Sequence, residues 1–130
     1  MSKVIHTTTA TVFVDAHGLL NIVNNGNQST EDTVRETFAA ARSLLDRPAP
    51  TLFDVRDWPR AGAGFWVTFI DLLPTTVSAG AILVGPEGRD DLGGFPEAVN
   101  RLMVPFDVFA DEDEAKTFLI RFLPPSEETV

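Results

Sequence analysis

Short apolar runs separated by amphipathic stretches dominate the hydrophobic pattern of the chain. The runs at residues 11–15 and 19–23 are rich in β-branched and aromatic side chains, and turn residues 16–18 lie between them, so they predict a β-hairpin. Later runs are almost continuously apolar, which is typical of strands buried on both faces of a parallel sheet. These runs cover residues 51–55, 79–84 and 105–109.

The stretches between and after these runs carry apolar residues at helical spacing. In the first of them Val34, Phe38 and Ala41 recur at the interval of one helix face, and Ser29 with Asp32 has the spacing of a helix cap. Further helices are predicted over residues 63–73, over residues 87–103 with a break at Gly93, Gly94 and Pro96, and from the cap Asp111 to about residue 122.

The predicted order of elements is β-β-α-β-α-β-α-β-α. A hairpin followed by alternating helices and strands is typical of an α/β fold with a mixed, mostly parallel sheet covered by helices. At 130 residues we expect a single domain over residues 1–123, followed by a frayed C-terminal tail over residues 124–130. The segment around His6, before the first predicted strand, is expected to be loose.

The charge balance narrows the classes of partner. The chain holds 10 Lys and Arg against 19 Asp and Glu, a formal net charge of −9. A nucleic-acid binder, or a protein that docks on anionic membranes, needs clustered basic residues, so we expect neither kind of partner. The same charge suits a protein partner with a basic face.

The absence of Cys limits the chemistry of the protein, and the absence of long apolar segments limits its expected location in the cell. The chain has no Cys, which excludes disulfides, thiolate nucleophiles and cysteine-based metal sites. The N-terminal residues show no apolar signal-peptide core, and the longest apolar stretch, residues 65–73, is too short to span a bilayer. We therefore expect a cytoplasmic protein that needs no cofactor and no metal.

Four short phrases of the sequence match those of a known class of regulatory domain. They are Val-Asp-Ala-His-Gly at residues 14–18, Leu-Phe-Asp-Val-Arg at 52–56, Ala-Gly-Ala-Ile-Leu-Val at 79–84 and Phe-Ala-Asp-Glu-Asp-Glu-Ala at 109–115. Together with the order of elements, they resemble the STAS domain of anti-sigma-factor antagonists, and more closely its SpoIIAA-like relatives, over residues 10–123. The resemblance implies a small, non-enzymatic α/β domain of bacterial regulatory type that acts by binding.

The phosphorylation site of that class is missing. In the switching members, a kinase phosphorylates a Ser or Thr at the start of the helix that follows the central strand. The matching stretch, residues 57–67, contains neither residue type, and the first hydroxyl is that of Thr68. The resemblance therefore carries no phosphorylation site over to this chain. Some relatives are linked by their fold to lipid-carrying domains, so the resemblance leaves open the alternative that the protein binds an apolar ligand.

Residues suited to catalysis or metal binding are scarce. The acidic run at residues 111–114 lacks the spacing of a calcium loop and is better explained by the preference for carboxylates in the first turn of a helix. His17 lies two residues from Asp15, but in a hairpin turn with no nucleophile in a suitable context. The glycines of residues 62–64 and 85–88 lack complete nucleotide-binding motifs and indicate turns.

A candidate binding rim follows from the topology. Ligands of open α/β sheets bind beyond the carboxyl ends of the parallel strands, and charged side chains follow the predicted strands at that edge. The rim hypothesis groups Arg56, Asp57, Arg60, Glu87 and Arg89, with the arginines as donors to a carboxylate or phosphate. The alternative is that Arg56 pairs with Asp54 or Asp57 and only closes the loop.

Four aromatic residues, Trp58, Phe65, Trp66 and Phe69, form a second candidate site. Trp66 and Phe69 fit a helix stripe that faces the core, whereas Trp58 and Phe65 fall off that stripe. Aromatic residues off the stripe indicate an exposed apolar patch, which is typical of an interface with a partner or with a second copy. Two other interpretations stay open, namely that these residues belong to the core or that they line an apolar ligand pocket.

The observations favour a non-catalytic interaction or regulatory module that self-associates as a homodimer. The alternative is a carrier or sensor of a small apolar or amphipathic ligand. An enzyme is the least favoured class, because no catalytic set of residues is recognised. An exposed aromatic patch would favour the first class, and an enclosed cavity lined by the phenylalanines would favour the second.

Overall fold

A six-stranded sheet organises the residues that the structure describes. The structure is a computed structural model, and it describes residues 3–27, 29–56, 65–85 and 104–123. Within these residues the strands are β1 (Val4–His6), β2 (Ala10–Val14), β3 (Leu20–Asn24), β4 (Ala49–Asp54), β5 (Val77–Leu83) and β6 (Phe106–Phe109). The order of the strands in the sheet is their order in the chain.

The sheet is antiparallel at one end and parallel over the rest. β1 pairs with β2, and β2 with β3, in antiparallel register, whereas β3, β4, β5 and β6 run parallel. The described helices are α1 (Glu31–Leu44) after β3, α2 (Phe65–Thr76) after β4 and α3 (Glu112–Ile120) after β6. α1 packs beside α2 on one face of the sheet, and α3 covers the other face. The mixed, mostly parallel α/β architecture predicted from the sequence is confirmed.

Asp15 builds the turn of the predicted hairpin between β2 and β3. One oxygen of its carboxylate accepts hydrogen bonds from the backbone N–H groups of His17 (2.9 Å) and Leu19 (3.1 Å). The other oxygen accepts a hydrogen bond from the Asn21 amide at 3.0 Å. Gly18 has a φ of 90°, in the left-handed region that a residue with a Cβ rarely adopts. Asp15 therefore has a structural role, with His17 bound to it through the backbone.

Thr30, rather than the predicted Ser29, caps α1. The Thr30 hydroxyl accepts a hydrogen bond from the Thr33 backbone N–H at 3.3 Å, and the Thr33 hydroxyl accepts one from the Thr30 N–H at 2.7 Å. This reciprocal pair satisfies two backbone donors, which Ser29 with Asp32 does not do here. At α3 the predicted cap is confirmed, since the Asp111 carboxylate accepts a hydrogen bond from the Asp113 N–H.

The N-terminal segment is a strand rather than the loose end expected around His6. Residues Val4–His6 pair with β2, and Nδ1 of His6 lies 3.1 Å from the Thr11 hydroxyl. The hydrophobic pattern missed β1 because this edge strand buries little of its surface, with both Val4 and His6 exposed.

Two prolines lie inside elements that were predicted without them, because the predicted strand begins at residue 51 and the predicted helix ends at residue 73. β4 contains Pro50, at a register shift against β5, where a missing N–H is tolerated. α2 continues through Pro74 to Thr76, and β5 starts at the next residue, Val77. The predicted helix over residues 87–103 and the predicted tail over residues 124–130 lie outside the described residues.

Among the described residues, five phenylalanine rings meet between the sheet and the α1–α2 layer. The Phe53 ring of β4 lies at the centre, with its centroid 5.3 Å from that of Phe69, 5.9 Å from that of Phe106 and 6.4 Å from that of Phe38. Phe65 stacks on Phe69 at 5.6 Å. We call these residues the Phe cluster. They form the centre of the larger of two core clusters, and the smaller one lies under α3.

Phe106 reaches the Phe cluster only because β5 has no side chain at Gly80. The two residues are register partners on adjacent strands. A Cβ atom on Gly80 would overlap the Phe106 ring. The glycine therefore permits the aromatic packing that ties β6 to α2.

We expect Gly80→Ala to lower the free energy of unfolding by about 1–3 kcal/mol, the usual cost of overpacking a core. Gly85→Ala is the matched control, because the nearest atom to its new Cβ would be the Arg56 carbonyl oxygen at 3.9 Å. The control should change the free energy of unfolding by less than about 0.5 kcal/mol. Urea unfolding followed by circular dichroism measures both, and equal stabilities would contradict the role assigned to Gly80.

Candidate functional site

Arg56 links the carboxyl end of β4 to α3. Its guanidinium holds the Asp54 carboxylate at two points, with Nε 3.0 Å from Oδ1 and Nη2 2.7 Å from Oδ2. The same Nη2 lies 3.4 Å from Oε1 of Glu112, in the first turn of α3. The second oxygen of Glu112 lies 2.9 Å from Nζ of Lys116. These four residues form one continuous series of ion pairs, which we call the Arg56 network.

The charges of the Arg56 network balance one another. Two carboxylates face two cations, and the Asp54 side chain, which is only 13% exposed, has the guanidinium as its ionic partner. The hydrogen bond to Glu112 raises the pKa of Lys116, assisted by the attraction of nearby carboxylates and opposed by burial. The network therefore fastens α3 to the end of β4.

Only one member of the predicted rim can be placed. Arg56 pairs with Asp54, as the alternative interpretation held, and it also pairs with Glu112. The other members, Asp57, Arg60, Glu87 and Arg89, lie outside the described residues. The rim as a whole stays a prediction. Glu112 was missed as a partner because it lies 56 residues from Arg56 along the chain, and only the fold brings the two together.

Phe65 and Phe69 are core residues and do not form an exposed patch. They are 7% and 4% exposed. The prediction that Phe65 falls off the core stripe is wrong, because residues at i and i+4 share a helix face, and α2 turns this face to the sheet. Leu73 extends the buried stripe. Trp58 and the Trp66 side chain lie outside the described residues, so their part in an interface stays a prediction.

The opposite side of α2 presents an apolar residue that the sequence analysis did not single out. Val67 is 64% exposed, more than any other large hydrophobic side chain among the described residues. Ile70, one turn further, is half-buried, and Asp71 is the only charged residue of the helix. Val67, Ile70, Asp71 and Pro74 form what we call the α2 outer face. The signal for it was the near absence of charge, since a solvated helix normally has a polar face.

The first hydroxyl after the central strand is not accessible. Thr68 is 6% exposed and lies on the core side of α2. A phosphate there would place a charge of about −1.5 to −2 among apolar groups and would disrupt the packing. Thr68 therefore does not replace the phosphorylation site that residues 57–67 lack.

A small cavity adjoins the Phe cluster near the carboxyl ends of β3, β4 and β5. Its volume is about 60 Å³. Its apolar wall includes Phe38, Phe53, Phe65 and Phe69, and its polar wall consists of Thr9, Asn24, Ser29 and Thr37. Pockets that bind small molecules commonly have volumes of about 300–1,000 Å³. The lining of the cavity therefore has the composition of a site for an amphipathic ligand, but the cavity has only a small fraction of the volume of such a site.

The acidic run at residues 111–114 has structural roles at its start. Asp111 caps α3, and Glu112 belongs to the Arg56 network. Among the described residues, no three or more His, Asp or Glu side chains are grouped so that they could hold a metal ion. None of the helices in the described ranges has the length and apolar character needed to cross a membrane.

The fold is that of a known structural class. No protein-family model matches the chain, and no curated protein matches it. Among solved structures, the chain is similar to an uncharacterized protein of the DUF3478 family from Shewanella loihica PV-4, whose crystal structure has a SpoIIAA-like fold. The TM-score is 0.55 over 92% of each chain, at 13% sequence identity. The protein therefore has a SpoIIAA-like fold, as the resemblance implied, and at this identity the likeness establishes the fold alone.

We expect Arg56→Ala to lower the free energy of unfolding by about 1 kcal/mol, after allowance for solvent screening of the half-exposed guanidinium. The reason is that the largely buried Asp54 carboxylate loses both of its hydrogen bonds to the guanidinium. Arg35→Ala is the control, because Arg35 pairs only with exposed carboxylates of α1, and it should cost less than about 0.5 kcal/mol. Urea unfolding compares the two, and a larger effect at Arg35 would contradict the argument.

Proposed function

We propose that the protein is a non-catalytic interaction module that self-associates through the α2 outer face. The observation that carries the proposal is the exposure of Val67 on a helix of 12 residues that contains a single charge. Apolar side chains grouped on a surface are typical of interaction sites. The SpoIIAA-like fold supports the class, because the resemblance implies a domain that acts by binding.

Two further observations support a module without a covalent switch or an active site. The stretch at residues 57–67 has no hydroxyl, and Thr68 is buried. The charged groups of the Arg56 network are engaged with one another rather than aimed at a cleft. Association of such a module responds to concentration and to the partner's surface, and not to phosphorylation of this helix.

The size of the helix sets the expected strength of self-association. At about 1.5 Å per residue, α2 is about 18 Å long. Stable dimers commonly bury about 800 Å² on each partner, which is more than one helix face of this length supplies. We therefore propose a weak dimer that dissociates on dilution, with residues next to α2 contributing to the interface.

The test is the substitution Val67→Glu. Val67 lies in the first turn of α2, where a carboxylate is compatible with the helix dipole, so the monomer should stay folded. Two facing glutamates would repel each other and lose water, and we expect the dimer dissociation constant to rise at least about tenfold. Sedimentation equilibrium over a range of protein concentrations measures it.

Ile120→Glu is the control for that experiment. Ile120 is another exposed apolar residue at the end of a helix, but it lies on α3, at the other face of the sheet. It should leave the dissociation constant unchanged. A wild-type protein that stays monomeric at high concentration, or equal weakening by both variants, would refute self-association through α2.

The second candidate function is that of a carrier or sensor of a small apolar or amphipathic ligand. The cavity beside the Phe cluster favours it, because aromatic rings line one side and hydroxyl and amide groups the other. The volume of the cavity, about 60 Å³, argues against the carrier function, since an engineered cavity that takes up benzene measures about 150 Å³. A cavity of this volume has room for only a few ligand atoms.

Native mass spectrometry of the gently purified protein separates the two functions. Because of the small cavity, we expect a dimer without added mass. A carrier predicts a reproducible extra mass per chain that is lost in Ala10→Val, since the two added methyl groups would fill the cavity that Ala10 lines. In the absence of a ligand, the same substitution should raise the free energy of unfolding by about 0.5–2 kcal/mol, as cavity filling commonly does.

A further inference from the structure

A shallow groove runs between β6 and α3, on the face of the sheet that lies opposite α1 and α2. Its volume is about 440 Å³. Its lining among the described residues consists of Asp107, Phe109, Asp113, Glu114, Thr117, Phe118 and one cation, Arg121. We call it the β6–α3 groove. Neither the SpoIIAA-like likeness nor the proposed self-association involves this surface.

Two aromatic rings form the apolar part of the groove. Phe109 of β6 and Phe118 of α3 lie with their centroids 5.4 Å apart, and both side chains are half-buried. Phe122 continues the row, 5.2 Å from Phe118. Part of this aromatic surface therefore faces solvent in a groove large enough to take side chains of a partner.

Three exposed carboxylates line the same groove. Asp107 belongs to β6, and Asp113 and Glu114 belong to the first turn of α3. None of the three takes part in a salt bridge among the described residues, whereas the neighbouring Glu112 pairs with two cations. The helix dipole accounts for acidic residues in the first turn of α3, but it does not account for Asp107, which lies on a strand. Carboxylates of two elements thus lie beside one aromatic surface.

Charge complementarity identifies the kind of occupant. An acidic groove on a chain of net charge −9 repels nucleic acids and anionic lipids, and it also repels the same groove of a second copy. A cationic segment suits it, since lysine or arginine can reach the carboxylates while apolar groups cover the rings. At one end of the groove Arg121 already lies over the Phe122 ring, at 5.8 Å from its centroid, and Phe109 and Phe118 offer a partner's arginine the same contact.

We propose that the β6–α3 groove binds a basic peptide segment of a protein partner, with its cationic side chains on Asp107, Asp113 and Glu114 and its apolar side chains on Phe109 and Phe118. The proposal rests on the role of the protein as an interaction module, but it does not require self-association through α2. The two surfaces lie on opposite faces of the sheet, so that both can be occupied at the same time.

The experiment measures binding of a fluorescein-labelled peptide that alternates lysine and leucine, by fluorescence anisotropy at low salt. The test variant is the double substitution Asp113→Asn with Glu114→Gln. The control variant is Glu31→Gln with Asp32→Asn, which removes the same amount of charge from the first turn of α1, on the other face. The control peptide carries glutamate in place of lysine.

We expect the test variant to bind the basic peptide about tenfold more weakly and the control variant to bind it as the wild type does. Binding should weaken with added salt, because exposed charges are screened. Thr117→Lys, which places a cation in the groove, should weaken binding as well. Equal weakening by the test and control variants, binding of the glutamate peptide, or no binding of the basic peptide would each overturn the proposal.

Sedimentation equilibrium of the same variants keeps the two proposals apart. Loss of peptide binding with an unchanged dimer supports the groove and leaves the α2 interface intact. A monomeric wild type that still binds the basic peptide at the groove refutes self-association alone. A wild-type protein that forms the dimer but does not bind the peptide refutes only the proposal that the groove binds a basic peptide.

Discussion

The packing of the Phe53 ring against rings of α1, α2 and β6 is the constraint on which the rest of the structure depends. Phe53 belongs to β4, near the middle of the sheet, and its neighbours Phe38, Phe69 and Phe106 come from three different elements. Each fully buried phenylalanine contributes about 1.5–3 kcal/mol, and edge-to-face contacts add to this. The rings fit only because Gly80 leaves the surface of β5 open to Phe106. A single residue without a side chain thus makes room for the ring of β6 in the Phe cluster.

The same packing determines what α2 shows to the solvent. Because Phe65 and Phe69 turn inward to join the Phe cluster, Thr68 is buried with them and Val67 points away from the sheet. The hydroxyl of Thr68 therefore lies on the core side of the helix, and the apolar side chain of Val67 lies on the solvent side. The burial of Thr68 and the exposure of Val67 thus follow from one orientation of one helix.

Sequence patterns predicted the elements that bury a regular stripe or a continuous run. The hairpin, the parallel strands, α1 and the Asp111 cap were found in this way, and the resemblance to the SpoIIAA-like fold rested on their order together with four short sequence phrases. Patterns failed where an element buries little of its surface or where contacts between residues far apart in the sequence determine the arrangement. β1 is an edge strand with exposed side chains, Phe65 was assigned to the wrong helix face, and the Arg56–Glu112 pair depends on two segments that meet only in the folded chain. The rim residues beyond Arg56 stay predictions because they lie outside the described residues.

The described surfaces differ in the number of charges that they carry. Like charges on approaching copies repel over a Debye length of about 8 Å at physiological salt, and a net charge of −9 opposes self-association at most orientations. The repulsion is least where a surface has few charges, and α2 has one in 12 residues. On the other face, Asp107, Asp113 and Glu114 take part in no salt bridge among the described residues, although Glu112 beside them is paired. The proposed contacts between copies through α2 would leave the acidic groove of each copy open to a partner of opposite charge.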